Sequence, residues 1–234
     1  MRPATPIDGP LVAATFLARP NRFLTTVRLA DGKLVPAHLA DPGRLTGLLV
    51  PGAAVWLAER NGANRKTAHD LVLVHQNGHL VSVDTRYPNR LVVAALAAQA
   101  IPELTAYTDW EAEAGYGQSR LDFRGRGPGG DCLVEVKSVT LARDRRGYFP
   151  DAVTARGTRH LRELTQARAA GYDAALLFIA QREDVDSVSP ADDIDPAFGA
   201  ALRAAAGAGV RLLAYTCQVT TSEIALERVI PVQC

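Results

Sequence analysis

Asp122, Glu135 and Lys137 are the residues whose types and spacing best suit chemistry. They fall in two short segments, Ser119-Arg120-Leu121-Asp122-Phe123 and Leu133-Val134-Glu135-Val136-Lys137-Ser138, separated by the Gly/Pro stretch Gly125–Gly130. Successive strand residues point to opposite faces, so Glu135 and Lys137 share one face while Val134 and Val136 pack the other way. A turn at 125–130 folds Asp122 back beside them. Two carboxylates and the Val136 backbone carbonyl are hard oxygen donors suited to Mg2+ or Mn2+. A metal there acidifies water and neutralises charge developing on a phosphate, while Lys137 orients or deprotonates the attacking water. The expected chemistry is metal-dependent phosphodiester hydrolysis without a covalent intermediate. Glu-x-Lys is common as a solvated pair on a strand face. Its position inside the apolar run 133–139, where buried charge without a purpose is costly, singles it out here.

Further candidates surround this set. Glu113, on the preceding strand segment, could aim a third carboxylate at the same pocket; an exposed strand charge explains it equally well. The loop Tyr148–Thr154 leads to Arg156 and Arg159 at the start of a helix, where side chains and helix N-terminus together form a natural phosphate clamp. His160 reads as a satisfied helix-face histidine.

The elements that must position these residues divide near residue 85. From Leu11 to Val83 short apolar stretches alternate with turn signals. Strands are expected at Phe23–Leu29, Leu34–Leu39, Ala54–Ala58, Leu71–His75 and His79–Val83, with turns at Asp31-Gly32, Asn61-Gly62 and Asn77-Gly78. About five regularly spaced strands point to a small β-barrel, placed at residues 1–85. Residues 86–234 read differently. Helices are expected at Leu91–Ala100 (with Asn89 as cap), Thr158–Ala170 and Pro196–Ala208; between them lie strands near Trp110–Ala114, Arg120–Phe123, Leu133–Leu141, Ala174–Ala180 and Val210–Tyr215. That alternation implies an α/β domain with a mixed or mostly parallel central sheet.

Composition sets wider bounds. Hydrophobic residues make up 47% and charged residues 22% of the 234, an ordinary globular balance. The net charge of +1 does not announce a polyanion binder, but it is uneven: residues 1–85 carry +3 and the remainder −2. A mildly basic front half beside a carboxylate-bearing back half suits a phosphate-binding module joined to a metal site. Its basic candidates are Arg19, Arg22, Arg44, Arg65 and Lys66, with Arg44, Arg65 and Lys66 taken as the contacts, while Phe16, Phe23 and Trp56 read as core rather than as stacking platforms. Three scattered cysteines make neither a disulfide framework nor a zinc knuckle. Pro3, Pro6, Asp8 and Pro10 break any secretion leader, and the apolar runs are too short to span a membrane, so the cytoplasm is the expected place. The residues leave DNA and RNA both open as partners and leave a homodimer open as well.

The stretch Tyr116–Leu164, with YGQSRLDF, CLVEVKSVTL and GYFPDAVTARGTRHLREL, closely resembles the sugar fermentation stimulation protein A family. His38–Gly47, Pro51–Trp56 and Pro88–Leu91 resemble its front-half motifs, so the likeness covers nearly the whole chain. The resemblance implies an N-terminal OB-fold followed by a PD-(D/E)XK nuclease-like domain in a bacterial, cytoplasmic, DNA-binding protein. The family's carboxylates and lysine fall on Asp122, Glu135 and Lys137. Two departures stand out. Many relatives read Asn-Thr-Gly where this chain has Asp41-Pro42-Gly43, and Leu91–Ala100 lacks the acidic residue that the superfamily's first helix often supplies. A Mg2+-dependent nuclease is the first reading. The alternative is a DNA-binding or regulatory protein that keeps the nuclease fold without turnover.

Overall fold

The computed structural model describes residues 2–60, 62 and 65–234. The expected Asn61-Gly62 turn and residue Asn64 therefore lie, wholly or in part, outside the described residues. The first strand, β1 (Ala4–Pro6), does not join the front unit at all; it pairs antiparallel with the last strand of the chain. Residues 4–6, placed with the barrel from sequence, thus belong to the second sheet. The short segment reaches that sheet edge because Ala4–Pro6 finds the unpaired backbone of Glu223–Ala225 there.

The front unit is a barrel built by tight turns. β2 (Leu11–Asn21) passes through Arg22-Phe23 into β3 (Leu24–Leu29), and β4 (Leu34–Leu39) follows after Gly32. β5 (Ala54–Glu59) and β6 (His69–Gln76) come next. Asn77 and Gly78, both at positive φ, make the paired left-handed turn that leads to β7 (His79–Ser82). Antiparallel pairs β4–β3–β2–β5–β6 close through a parallel contact of β4 with β6, at His38↔Asp70 and Leu39↔Leu71. The result is a five-stranded closed barrel of the OB type, as expected. Phe16, Val27, Leu39, Leu57, Leu71 and Val74 fill it.

The second unit is a seven-stranded mixed sheet in the order β1-β16-β15-β13-β10-β9-β8. Its strands are β8 (Asp109–Tyr116), β9 (Ser119–Gly127), β10 (Gly130–Val139), β13 (Asp173–Ala180), β15 (Arg211–Val219) and β16 (Glu223–Val229). β10, β13 and β15 run parallel, and the flanking strands are antiparallel. A small sheet of β11 (Leu141–Arg143), β12 (Arg146–Phe149) and β14 (Ser187–Pro190) sits beside it.

Helices cover both faces of the large sheet. α1 (Tyr87–Ala97) packs through Tyr87, Leu91, Val92 and Ala95 with Val134, Val136, Ala175 and Leu177. It starts earlier than expected, with Arg86 at its N-cap and Pro88 in the first turn, where the missing N–H costs nothing. Asn89 is therefore inside the helix rather than its cap. On the opposite face α2 (Ala155–Ala169) and α3 (Pro196–Gly207) pack through Leu161, Leu164, Phe198 and Leu202 onto Leu133, Leu176 and Phe178. The Thr154 hydroxyl accepts from the Gly157 N–H at 3.0 Å to cap α2, and Gly171 at φ +91° ends it. β13, buried along nearly its whole length, is the two-faced strand that its continuous apolar run demands.

The two units share one core. Ala58, Val72 and Leu73 of the barrel lie in the same apolar cluster as α1 and the inner strands of the large sheet. Polar ties cross the seam as well. Ser82 N–H donates to the Gln181 carbonyl at 3.0 Å, Arg182 donates to the Gln76 Oε1 at 3.0 Å, and Leu45 N–H donates to Asp151 Oδ2 at 3.2 Å.

Candidate functional site

Three of the sequence candidates meet at one place. β9 pairs with β10 only as far as Phe123↔Val134. One residue beyond, the Asp122 carboxylate takes over the role of ladder acceptor: its Oδ2 accepts from the Val136 N–H at 2.7 Å. Its Oδ1 accepts from Asn89 Nδ2 at 2.8 Å, so α1 supplies a positioning amide where an acidic residue was sought. Glu135 and Lys137 share a face of β10, as the period of two requires, and the Lys137 ammonium is ion-paired with Glu135 Oε1. Val134 and Val136 face the α1 side of the sheet.

His160 completes the arrangement. Buried on α2, it meets Glu135 Oε1 through Nδ1 at 2.5 Å, and its Nε2 accepts from Arg156 Nε at 3.3 Å. The helix-face reading of His160 holds in that the ring is satisfied, but what satisfies it is the candidate acidic residue. The signal was its spacing. His160 and Leu164 are four apart on the buried face of α2, so the ring faces the sheet strand that carries Glu135.

Electrostatics separate the two carboxyls. Burial, then the neighbouring Glu135 charge, pushes the Asp122 carboxyl above its ordinary value; the Val136 N–H and Asn89 oppose this. Burial also works to raise Glu135, but the His160 hydrogen bond and Lys137 outweigh it and hold the group below the ordinary carboxylate range. Glu135 Oε2 is buried with no hydrogen-bond partner among the described residues. An orphaned carboxylate oxygen beside a second carboxylate fits a hard divalent cation, which would satisfy the one and offset the repulsion between both. Among the described residues, no group of three or more His, Cys, Asp or Glu side chains is gathered as a metal cage.

These residues open into a cavity of about 550 Å³ at the seam between the barrel and the sheet. Asp122, Glu135, Val136 and Lys137 line one wall, and the loop Tyr148–Thr154 with Arg156 lines another. The barrel adds Arg22 and Asp41-Pro42-Gly43. Arg19 fixes this contribution: its guanidinium donates to the carbonyls of Asp41 at 3.0 Å and of Gly43, Arg44 and Arg22 at 2.7 Å each. Gly43 approaches Asp151 so closely that a β-carbon there would lie 2.2 Å from its Oδ2. Arg22 was among the basic candidates of the barrel, whereas Asp41 and Asp151 were not taken as site residues from sequence. Nothing local marks them, because they meet only when the barrel docks on the sheet.

Other candidates fall elsewhere. Glu113, within β8 at φ +53°, is exposed and pairs with Arg120 at 2.7 Å; it does not line the cavity. Arg159 is exposed and donates to Ser119 Oγ at 3.1 Å, at the rim of α2. Arg44 is exposed and lines a second hollow along the seam. Arg65 is ion-paired with buried Asp70, which Arg60 and Arg86 also hold, and Lys66 projects beside it. Among the aromatics, Phe16 is core and Trp56 is partly buried against the shared cluster, but Phe23 is 49% exposed. The expectation that Phe23 packs inside therefore fails: it occupies a hairpin tip, where a two-residue turn cannot direct it inward.

Known proteins match this arrangement throughout. Residues 17–83 match the model of the SfsA N-terminal OB domain, and residues 86–223 match that of the sugar fermentation stimulation protein RE domain. A sugar fermentation stimulation protein homolog of Moorella thermoacetica is 51% identical over 92% of this chain and 94% of its own. One from Chloroflexus aurantiacus is 48% identical over 96% of this chain and 86% of its own. The solved structure of Pyrococcus furiosus SfsA in complex with Ca2+ superimposes over all of both chains with a TM-score of 0.91 at 28% identity. The chain belongs to the sugar fermentation stimulation protein family.

Proposed function

We propose that the protein binds nucleic acid and hydrolyses its phosphodiester bonds with the help of Mg2+ or Mn2+ at Asp122 and Glu135. The observation that carries this reading is the buried, unpartnered Glu135 Oε2 beside a second carboxylate and a lysine, at the wall of an open cavity. Asp122 and Glu135 would hold the cation, with the Val136 carbonyl as the third donor. When bound, it supplies acidification of water and neutralisation of phosphate charge. The chain's own groups do the rest. His160 fixes the Glu135 carboxylate so that Oε2 stays turned away from Oε1's partners. Lys137, once drawn from Glu135, is the group placed to hold and orient a water. Arg156 from α2 and Arg22 from the barrel both line the cavity and would offer guanidinium groups to a phosphate. Arg44, Arg65, Lys66 and Arg159 extend the basic surface beyond it. The Ca2+ held by the Pyrococcus furiosus relative supports divalent-cation binding in this fold.

A second reading has its own observation. Both Asp122 oxygens already accept hydrogen bonds, and Lys137 and His160 both occupy Glu135 Oε1. A site so satisfied suits a nucleic-acid-binding protein that keeps the fold without turnover. Purified protein on labelled single- and double-stranded DNA and RNA, with Mg2+, Mn2+ or chelator, decides between them. Metal-dependent cutting that disappears in Asp122→Ala supports hydrolysis. Binding without cutting, or cutting equal in the variant, sinks it in favour of the second reading.

A further inference from the structure

The barrel carries an aromatic feature that the cavity does not use. Arg22 and Phe23 form the two-residue turn joining β2 to β3. Arg22 lines the cavity, whereas Phe23 lines a separate, open groove on the barrel. Phe23 lies 6.3 Å from His38 of β4, with the rings inclined by 23°, so two flat faces lie nearly parallel at the surface. Such placement is unusual for an aromatic whose burial would be favourable; Phe23 leaves about half its surface in water. Asn21 lies on the same groove, and Arg65 and Lys66 from the β5–β6 connection form its other edge. Among the described residues no lining residue is acidic, and Arg65 shares its Asp70 partner with two other arginines, so the edge keeps a positive excess.

We infer that this groove is a stacking platform for an unpaired base of a single strand, with Phe23 and His38 under the base and Lys66 and Arg65 along its phosphates. The inference rests on the nucleic-acid reading above and names its substrate class: single-stranded, or locally opened, nucleic acid. A base inside a duplex has both faces covered by its neighbours and cannot lie on a ring, whereas an unpaired base can. A duplex would touch only the basic edge. Arg22, next to Phe23 in the turn, lines the cavity bearing Asp122 and Glu135, so a strand stacked on Phe23 meets a guanidinium on its way towards that cavity. The platform therefore orders the strand before it reaches the carboxylates. Stacking accepts any base, so the groove selects strandedness rather than sequence.

The test is affinity for a short labelled homopolymer, its abasic counterpart and a duplex of equal length, with wild type, Phe23→Ala and Phe23→Tyr. Phe23→Ala should weaken single-strand binding about tenfold, the loss expected for one base–aromatic contact. Phe23→Tyr should restore most of it. The abasic strand should bind wild type and Phe23→Ala alike, and the loss should be confined to single strands. Equal losses on duplex and abasic strand, or no loss on any of them, would overturn the platform while leaving nucleic-acid binding standing. Failure of the wild type to bind any of the three at low salt would overturn both. Thermal midpoints of the variants, expected to match wild type for this exposed tip, separate lost stacking from lost folding.

Discussion

Asp41→Asn should stabilise the protein at neutral pH and flatten its stability between about pH 4 and about pH 6. The Asp41 carboxylate is buried in the barrel loop that lines the cavity, where its Oδ1 accepts from the Gly43 N–H at 2.7 Å. Burial raises its pKa to about 6 from the ordinary 3.8. The Gly43 N–H and Arg19 oppose that rise, while Asp151 across the seam and Asp84 after β7 add to it. In acid, below the unfolded value, both states hold the proton and the group is neutral in the balance. As pH climbs the unfolded chain releases its proton first, so stability falls until the folded group has ionised too. A rise from 3.8 to about 6 corresponds to a penalty of roughly 3 kcal/mol above that window. Asparagine keeps the oxygen that accepts from Gly43 and carries no charge, so it escapes the penalty. Urea unfolding followed by circular dichroism, on both proteins from about pH 4 to about pH 8, reads the difference directly. The gap should grow with pH and level off near neutrality. A gap that is constant across the range, or a variant less stable everywhere, would refute the argument that the buried charge sets the cost.

Three further substitutions probe the seam, the site and the barrel. Gly43→Ala drives a methyl group into the Asp151 carboxylate, which must turn away and give up its hydrogen bond from the Leu45 N–H; a cost of about 1 kcal/mol in urea unfolding is expected. If stability is unchanged, the loop is not packed against Asp151 as described. His160→Ala removes the buried partner of Glu135 and should lower stability by about 1–3 kcal/mol. It should also move the pH dependence of any cleavage upward, since the hydrogen bond that lowers the Glu135 pKa is gone; a profile that stays in place counts against the positioning role. Arg65→Ala leaves Asp70 with Arg60 and Arg86, so stability should change by less than about 0.5 kcal/mol. The same change should reduce the salt dependence of nucleic-acid binding by about one phosphate's worth of slope. An unchanged slope removes Arg65 from the interface.

Local pattern made some of this legible. The period of two placed Glu135 and Lys137 together, since neither needs a distant residue to set its direction. The Ala-rich and Leu-bearing runs that became α2 and α3, and the continuous apolar run that became β13, carried their own signals in residues only a few apart. The turn pairs Asp31-Gly32 and Asn77-Gly78 delimited the barrel strands for the same reason. Other features failed to announce themselves because their cause is remote. β1 forms only because an edge of the large sheet is available more than 200 positions along the chain. Glu113 alternates correctly with Glu111 and the β8–β9 register is unshifted on either side of it, yet its own left-handed backbone (φ +53°) leaves it exposed and paired with Arg120. Periodicity cannot register a single left-handed residue within a strand, which is why the third carboxylate was expected from sequence and is absent from the cavity wall.

The same distinction explains why half the cavity was invisible. Its sheet wall comes from one strand pair, and strand pairs advertise themselves. Its barrel wall depends on a rigid-body fact: the shared cluster of Ala58, Val72 and Leu73 with α1 fixes the barrel against the sheet in one orientation. Only that docking brings Asp41 near Asp151 and sets Arg22 on the wall of the cavity that Glu135 also lines. Arg19 then stiffens the barrel side, because one guanidinium holds both the Arg22 turn and the Asp41–Arg44 loop by their carbonyls. An Arg19→Ala variant should therefore loosen both at once. Loss confined to one of them would mean that the loop and the turn are held independently. If both loosen together, hydrogen exchange should rise across Arg22–Phe23 and Pro42–Leu45 in parallel while the barrel strands stay protected. Joint loosening would show that a single side chain shapes the barrel's whole contribution to the cavity wall, Arg22 and Asp41-Pro42-Gly43 together.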